Sequence, residues 1–440
     1  MENRRNQKDY DLAIECADRE TMQKIQLERL KETVDYVYEN VGPYRKKMEE
    51  KGVVPGDIRT LADITKLPFI TKEDLANNYP NGLFAADMED IVRIHASSGT
   101  TGKPKIAGYT RGDLDMWGEC VARCLTMAGA TKKSVVQVAY GYGLFTGGLG
   151  AHIGAETIGA TVIPMSSGNT QKQLMFMQDL KSTHLCCTPS YALTIAEAAE
   201  KAGLSPEEIS LKAGVFGAEP WTEGMRNEIE KRLGIHAHDI YGLSEVMGPG
   251  VSTSCSENAG MHIMEDYFFP EIIDPDTLEP LPDGEKGELV ITTIGKKGMP
   301  LVRYRTRDIC YLNHEKCECG RTLVRMSRVF GRTDDMLIIR GVNVFPSQVE
   351  TVISRFSETL TMNYKLYVGR EDNKDTFELA VELAEGLAID DITFVENLRT
   401  RVDHELRSIL GIGCKIRFLN AGTLPRSEGK AVRVEDTRKL

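Results

Sequence analysis

The sequence predicts an α/β fold: a large N-terminal domain of mostly parallel sheets with helices, an appended antiparallel β region, and a small mobile C-terminal α+β domain. Three observations carry this. Between Val135 and Tyr241, short apolar runs alternate with helical patterns, as in strands joined by crossover helices. From Glu265 to Asn313 the alternation gives way to strand-like runs separated by Asp-Pro and Asp-Gly turns. Beyond Gly331-Arg-Thr-Asp-Asp335 a second alternating unit begins.

Taken in order, Met22, Ile25, Leu30, Val34, Val37 and Val41 recur at helical spacing, and Gly42-Pro43 stops the pattern. This predicts one long amphipathic helix from Asp18 to Tyr44. Val135–Tyr140, Thr161–Met165, His184–Thr188, Ala213–Gly217 and His236–Tyr241 read as strands, with helices such as Gln171–Lys181 and Tyr191–Ala202 between them. In such a sheet, ligands lie at the carboxyl ends of the strands. Glu288–Ile294 and Asp308–Asn313 read as the appended antiparallel strands. In the C-terminal unit Leu366–Gly369, Phe377–Leu383 and Lys415–Leu419 read as strands and Ile392–Leu410 as a helix. Small and charged residues from Arg332 to Asp335 suit a hinge, which divides the chain into domains 1–333 and 334–440.

Bulk properties narrow the function. At 440 residues, 41% hydrophobic and 27% charged, the chain is an ordinary globular protein with room for two or three cores. A net charge of -11 without a basic stripe argues against nucleic acid as main partner. No apolar run approaches the roughly 20 residues that span a bilayer, so no membrane role is expected. Met1 to Asp9 is polar, without a secretory h-region, and the ten cysteines show no disulfide-framework spacing. A cytoplasmic protein with mostly reduced, buried cysteines is expected.

The richest chemistry lies in His95-Ala-Ser-Ser-Gly-Thr-Thr-Gly-Lys-Pro-Lys105. Ser97, Ser98, Gly99 and Thr100 lead into Thr101, Gly102, Lys103 and Lys105. Hydroxyls, unhindered N–H groups and two ammonium groups so close together suit a polyphosphate. No Gly-Lys-Ser or Gly-Lys-Thr is present, so this is not the loop of the P-loop enzymes. Four further segments stand out. His238-Asp-Ile-Tyr-Gly-Leu-Ser-Glu245 ends a predicted strand and offers an aromatic face, a hydroxyl and a carboxylate fit for Mg²⁺. Arg303-Tyr-Arg-Thr-Arg-Asp308 places among arginines a carboxylate that could accept both hydroxyls of a ribose. Gly331-Arg-Thr-Asp-Asp335 with Ile339-Arg-Gly-Val-Asn343 has hinge character, and Pro425-Arg-Ser-Glu-Gly-Lys430 puts a lysine after a glycine turn.

Together these segments resemble the adenylate-forming superfamily of acyl-CoA synthetases, and within it the phenylacetate–coenzyme A ligase family. Tyr140-Gly-Tyr-Gly-Leu-Phe145, Val215-Phe-Gly-Ala-Glu-Pro-Trp221, Arg340-Gly-Val-Asn-Val-Phe-Pro346 and Arg426-Ser-Glu-Gly-Lys-Ala-Val-Arg433 extend the match from about residue 10 to the end. The resemblance implies that residues 97–105 hold the phosphates of ATP. Ala218, Glu219, Pro220 and Tyr241 would frame adenine, beside Asp239 and Gly242. Ser244 would touch the α-phosphate, Glu245 would ligate Mg²⁺, and Asp308 would bind the ribose with help from Arg332. Asp334 would be the hinge, Lys430 the lysine of adenylation, and Arg340-Gly341 the loop lining the channel of coenzyme A. The wider superfamily has four residues between Pro and Gly-Lys, and Pro425 to Gly429 leaves three, the form usual in the phenylacetate branch.

Tyr140, Tyr142, Phe145, Phe216, Gly217 and Ile240 lie beside the nucleotide motifs and could wall a flat apolar pocket for a ring-bearing acid such as phenylacetate. Cys255, His262, Cys317 and Cys319 supply three thiolates and an imidazole, a set suited to structural Zn²⁺, with His314 as reserve ligand. Ordinary reduced cysteines are the alternative there. The function expected is ATP-dependent activation of an aryl acid to its coenzyme A thioester by a homodimer. Adenylylation of a deazaflavin coenzyme, or nucleotide binding by a non-catalytic regulator, are the two other readings.

Overall fold

The computed structural model describes residues 12–97, 104–333, 337–340, 342–371, 374–427 and 431–439. They form two compact units. The first takes the described residues up to Cys187 together with Glu207–Ala218 and Ile235–Arg328. The second takes Thr188–Pro206, Glu219–Gly234 and the described residues from Val329 onward. Two helices from mid-sequence, Pro189–Lys201 and Glu223–Leu233, therefore belong with the C-terminal residues.

In the first unit, β1 (Arg93–Ser97) and β2 (Lys105–Tyr109) pair antiparallel with Ser97 opposite Lys105. Next come β3 (Val135–Val138), β4 (Thr161–Ile163), β5 (His184–Cys187), β6 (Ala213–Gly217) and β7 (His236–Leu243). These five run parallel in the order β4-β3-β5-β6-β7. Every residue of β5 and β6 is buried, as expected of central parallel strands. The sheet then continues antiparallel through β8 (Gly248–Ser254), β9 (Met261–Ile263) and two short strands to reach nine strands.

The appended region carries β10 (Phe268–Ile273), β11 (Gly287–Thr293) and β12 (Tyr304–Cys310), paired antiparallel in that order. The strand expected over Asp308–Asn313 is two strands. The chain leaves β12 at Cys310 and enters the nine-stranded sheet as β13 (Leu312–Asn313), which pairs with β14 (Arg325–Met326). Between them the Tyr311 amide donates to Ser327 Oγ at 3.1 Å, and its carbonyl accepts from the Ser327 amide at 2.9 Å, in line with the β13–β14 pairing.

The N-terminal helix also differs from expectation. It spans Arg19–Asn40, with the Asp18 carboxylate accepting from the Thr21 amide at 2.7 Å. Gly42-Pro43 then opens a second helix, Gly42–Glu50. A proline in the first helical turn lacks an N–H that would go unpaired there and has a φ already suited to the helix, so it opens a second helix where an end was expected. Val37, Val41 and Tyr44 are all buried across the junction.

The second unit has a four-stranded sheet in the order Lys415–Leu419, Lys374–Leu383, Leu360–Glu371, Val434–Asp436. Its middle pair is antiparallel and each outer strand parallel to its neighbour. Helices Pro346–Ser354 and Ile392–Leu410 complete an α+β arrangement, the second burying Val395, Leu398, Val402, Leu406 and Leu410 at helical spacing.

Candidate active site

The turn from Ser244 to Met247, at the carboxyl end of β7, is held from several sides. Gly242 lets β8 approach: a Cβ there would stand 1.7 Å from the Gly248 carbonyl oxygen. The Tyr109 hydroxyl lies 3.0 Å from the carbonyl oxygens of both Ser244 and Met247 and shares its proton between them. Lys296 Nζ donates to the Val246 carbonyl at 2.9 Å, and Trp117 Nε1 to that of Pro249 at 2.8 Å. The Ser244 hydroxyl meets Thr146 Oγ1 at 3.1 Å. Glu245 is buried and accepts from the Tyr304 hydroxyl at 2.7 Å.

Under this turn the Tyr109 and Trp117 rings stack at 5.3 Å, and the His95 ring meets each edge-on at 5.4 Å. Burial pushes the Tyr109 phenol well above its ordinary value and the His95 imidazole below its own. The Lys296 ammonium is pushed down to about 8 by burial, against the pull of the Asp113 and Glu245 carboxylates.

Other predicted residues join the same neighbourhood. Tyr241 donates to Asp308 Oδ2 at 2.6 Å, so the expected adenine and ribose groups touch. The arginines of Arg303–Asp308 do not surround Asp308. Arg303, next to β12, and Arg305 and Arg307, within it, turn to the glutamates of β10 and β11. There Arg303 pairs with Glu271 at 2.8 Å and Arg305 with Glu288 at 2.6 Å, both pairs buried. Asp239 is held through its backbone, its amide donating to Ser254 Oγ at 2.9 Å. Three non-glycine residues adopt left-handed backbone here, Ala218 at φ 71°, Arg303 at φ 49° and Arg307 at φ 70°. Each costs about 1 kcal/mol or more, a strain typical of ligand-binding positions.

Ser97 and Lys105 frame the expected phosphate loop as the facing ends of β1 and β2. Ser97 Oγ is buried without a hydrogen-bond partner among the described residues. Ser98, Gly99, Thr100, Thr101, Gly102, Lys103, Asp334, Gly341 and Lys430 lie outside the described residues. Glu219 opens a segment of the second unit and precedes Pro220. Its carboxylate accepts from the amides of Ser190 and Ala431, each at 2.8 Å, the latter next in sequence to Lys430. Arg332 lies in the short strand Gly331–Arg332. Arg340, at φ 52°, donates from its amide to Asp375 Oδ2 at 3.2 Å and from Nε to the Asp375 carbonyl at 3.0 Å.

The aromatic set divides. Tyr140, Phe216 and Ile240 are buried around the ends of β3, β6 and β7, and the Tyr140 hydroxyl donates to the Val215 carbonyl at 3.4 Å. The Phe216 ring covers Gly214, and a Cβ on Gly217 would strike the Ile240 carbonyl oxygen at 2.1 Å, so these two also serve the close pairing of the strands. Tyr142 is half-buried, with its hydroxyl 3.2 Å from His152 Nδ1, and Phe145 is 42% exposed.

Away from the turn, Cys255, His262, Cys317 and Cys319 converge, their ligand atoms all within 4.8 Å of one another. Cys255 Sγ lies 3.8 Å from Cys317 Sγ, and Cys319 Sγ 3.5 Å from His262 Nε2. Tetrahedral bonds of about 2.3 Å to sulfur and 2.0–2.1 Å to nitrogen imply edges of about 3.8 and 3.5 Å, so the set fits a zinc ion. The Cys319 thiol is drawn far below its usual range by the Cys255 thiol beside it and by His262. His314 stays outside the cluster, 2.7 Å from Asp283.

The profile of the AMP-binding enzyme family matches residues 15–296, and that of the AMP-binding enzyme C-terminal domain matches residues 341–438. Phenylacetate-coenzyme A ligase of Escherichia coli (strain K12) is 52% identical over 433 residues, 97% of each chain. That of Thermus thermophilus is 49% identical over 444 residues, 98% of this chain and all of its own. The chain belongs to the phenylacetate–coenzyme A ligase family of adenylate-forming enzymes. A crystal structure of 2-hydroxyisobutyryl-CoA ligase in the postadenylation state, with R3-HIB-AMP, matches with a TM-score of 0.90 at 27% identity, over 97% of this chain and 92% of that one. Membership in this ligase family decides among the three readings of the sequence in favour of the enzyme that forms an acyl-adenylate and then a thioester.

Sequence reasoning missed Tyr109, Thr146, Lys296 and the role of Tyr304 at the turn. Tyr304 lies inside a recognised motif, but the other three come from segments whose patterns suggest only a strand, a helix and a polar turn. Among the described residues no helix is long and apolar enough to cross a membrane. The cysteines are free, and eight of the ten are buried.

Proposed function

We propose that the protein activates phenylacetate, or a close aryl relative, to its coenzyme A thioester with release of AMP and pyrophosphate. The observation that carries this reading is the 52% identity, over 97% of both chains, with the phenylacetate-coenzyme A ligase of Escherichia coli. A free carboxylate is a poor acyl donor because oxide is a very poor leaving group. Attack of a carboxylate oxygen on the α-phosphorus of ATP forms the mixed anhydride and expels pyrophosphate. The thiol of coenzyme A then adds at the carbonyl carbon, loses its proton, and AMP departs.

The residues divide this work. Residues 97–105 hold the phosphates, and Ser244 hydrogen-bonds the α-phosphate. Ala218, Glu219, Pro220 and Tyr241 frame adenine, with Asp239 and Gly242 beside them, and Asp308 takes the ribose with Arg332. Tyr241 fixes the Asp308 carboxylate through its 2.6 Å bond. Glu245, a buried carboxylate next in sequence to Ser244, suits a hard cation that prefers oxygen ligands, and so would hold Mg²⁺. Such an ion, when bound, neutralises charge on the phosphates. Lys430 neutralises charge gathering between the acid and the α-phosphate. Division at Asp334 into domains 1–333 and 334–440 would let Lys430 serve the first half-reaction and the Arg340-Gly341 loop the second. Tyr140, Tyr142, Phe145, Phe216, Gly217 and Ile240 wall the acid site. The cysteine–histidine cluster holds a structural Zn²⁺, and the enzyme works as a cytoplasmic homodimer with no nucleic-acid or membrane partner.

The test is acid-dependent formation of pyrophosphate, AMP and thioester across a panel of aryl and alkyl acids, with and without coenzyme A. Phenylacetate is expected to give the highest kcat/KM, with thioester and AMP in equal amounts. A clear preference for a non-aryl acid would overturn the substrate assignment, and pyrophosphate release without any thioester would overturn the reaction.

A further inference from the structure

Lys296 is 1% exposed, and its hydrogen-bond acceptor at 2.9 Å is a neutral carbonyl, that of Val246. Its ammonium lies 4.3 Å from the centre of the Tyr109 ring. The titratable and charged groups around it are Asp113 on the helix Arg111–Met127, Glu245 in the turn, Tyr109 on β2 and His95 on β1. Asp113 is itself engaged, accepting from the amides of Lys297 at 2.7 Å and Gly298 at 2.8 Å, which pins the Lys296 segment in place. Burying an ammonium against a carbonyl and a ring is costly, and an apolar side chain of the same volume would avoid that cost. The charge is therefore better explained by an anion that its neighbours handle than by packing.

We infer that Lys296 is a positioning residue for adenylation. Through the Val246 carbonyl it fixes the turn that carries Ser244 and Glu245, and its buried positive charge favours the nucleotide phosphates bound at that turn. The inference rests on the nucleotide roles proposed above for Ser244 and Glu245. In a water-poor interior such a charge acts far more strongly than it would at the surface.

The pH dependence follows with a definite sign. Burial lowers the ammonium to about 8 from its ordinary 10.5. Between those values the unfolded chain keeps a proton that the folded protein has lost, so this group's contribution to stability rises with pH. Over the same range the charge behind the turn disappears. Above about pH 8 adenylation should fall while this group makes the fold no weaker.

Lys296→Met keeps similar volume without the charge. The measurements are acid-dependent exchange of pyrophosphate into ATP, thioester formation from supplied acyl-adenylate, and the melting temperature, with Glu245→Gln in parallel. Lys296→Met is expected to lower kcat/KM for ATP in exchange by about 10- to 100-fold, with thioester formation little changed, Tm not reduced and the fall above pH 8 gone. Full exchange in Lys296→Met beside a crippled Glu245→Gln overturns the inference alone, as does equal loss in both half-reactions. Full exchange in Glu245→Gln overturns the reading beneath it, and the inference with it. If Lys296→Met does not fold, Lys296→Gln and Lys296→Arg decide. Exchange lost in Lys296→Gln and largely kept in Lys296→Arg supports the inference, and full exchange in Lys296→Gln, or equal loss in both, overturns it.

Discussion

The nine-stranded sheet has two working regions built by different means. At the end of β7 the Ser244–Met247 turn is fixed by side chains from four separate parts of the chain: Tyr109, Thr146, Lys296 and Tyr304. At the antiparallel edge, β9, β13 and β14 have three, two and two residues, too few ladder bonds to hold a strand firmly. There the zinc proposed for the cysteine–histidine cluster would do the joining. The cluster lies beside Arg321, which pairs with Glu15 at 2.5 Å, and Thr322, which donates from its amide to the Glu15 carbonyl at 3.0 Å. The first region spends polar contacts on the aim of a few reactive groups, and the second uses them to keep an edge and the N-terminal segment attached. Chemistry and stability should therefore separate on mutation.

The largest expected effect comes from a residue that neither region contains. With the role proposed for it, Lys430→Ala should lower acid-dependent pyrophosphate exchange by about 10²- to 10³-fold, the usual cost of removing one group aimed at transition-state charge. Thioester formation from supplied acyl-adenylate should hardly change, nor should the melting temperature. Equal loss in both half-reactions would show that the lysine does not belong to adenylation alone.

The opposite pattern is expected at the antiparallel edge. Elemental analysis should find one zinc per chain, and stripping it, or Cys317→Ser, should lower stability with kcat preserved at moderate temperature. Binding at a hundred times Kd contributes about 2.7 kcal/mol, which for a chain of this size shifts Tm by about 3 °C. Proteolysis near the N-terminus should quicken as well, because the Arg321–Glu15 contact adjoins the cluster. A zinc-free protein of unchanged Tm would remove the proposed metal. Loss of kcat in step with zinc would place the cluster in catalysis and erase the contrast.

Much of both regions could be read in the sequence, for a physical reason. Groups that touch a ligand cluster into short motifs, because a turn can present only a few consecutive residues to one point. Tyr241, Ser244 and Glu245, for which nucleotide and metal roles are proposed, come from the end of β7 and the turn that follows it, and Asp308 from β12. The parallel strands were legible because central strands are apolar throughout, as β5 and β6 are. What stayed hidden is support from afar. Lys296 lies 50 residues in sequence from the carbonyl that it binds, and Tyr109 lies 135 from its own. Lys296 sits among Gly295, Lys297 and Gly298, a pattern that suggests a solvated turn, yet it is among the most buried side chains of the chain. Gly42-Pro43 misled for a local reason, since the same dipeptide can end one helix or begin the next. The arginines in and beside β12 misled because they turn to the glutamates of β10 and β11.

The smallest effect tests whether support at the turn is cumulative. Tyr304 is buried and donates to Glu245 Oε1 at 2.7 Å, so Tyr304→Phe removes one hydroxyl and leaves the ring packed. The net cost to stability should be about 1 kcal/mol, larger if the carboxylate finds no substitute donor. With Glu245 less firmly aimed, kcat/KM for ATP should fall by about tenfold, and half-saturation with Mg²⁺ should need a higher concentration. Thioester formation should be spared, because the nucleotide leaving group is already in place. Combining Tyr304→Phe with Lys296→Met sharpens the point, since the two side chains hold adjacent residues of one turn, Glu245 and Val246. Groups that share a rigid support couple, so the double variant should lose less than the product of the single losses. Independent, multiplicative losses would mean that each side chain acts on its own neighbour, and that the turn is not the rigid unit its contacts describe.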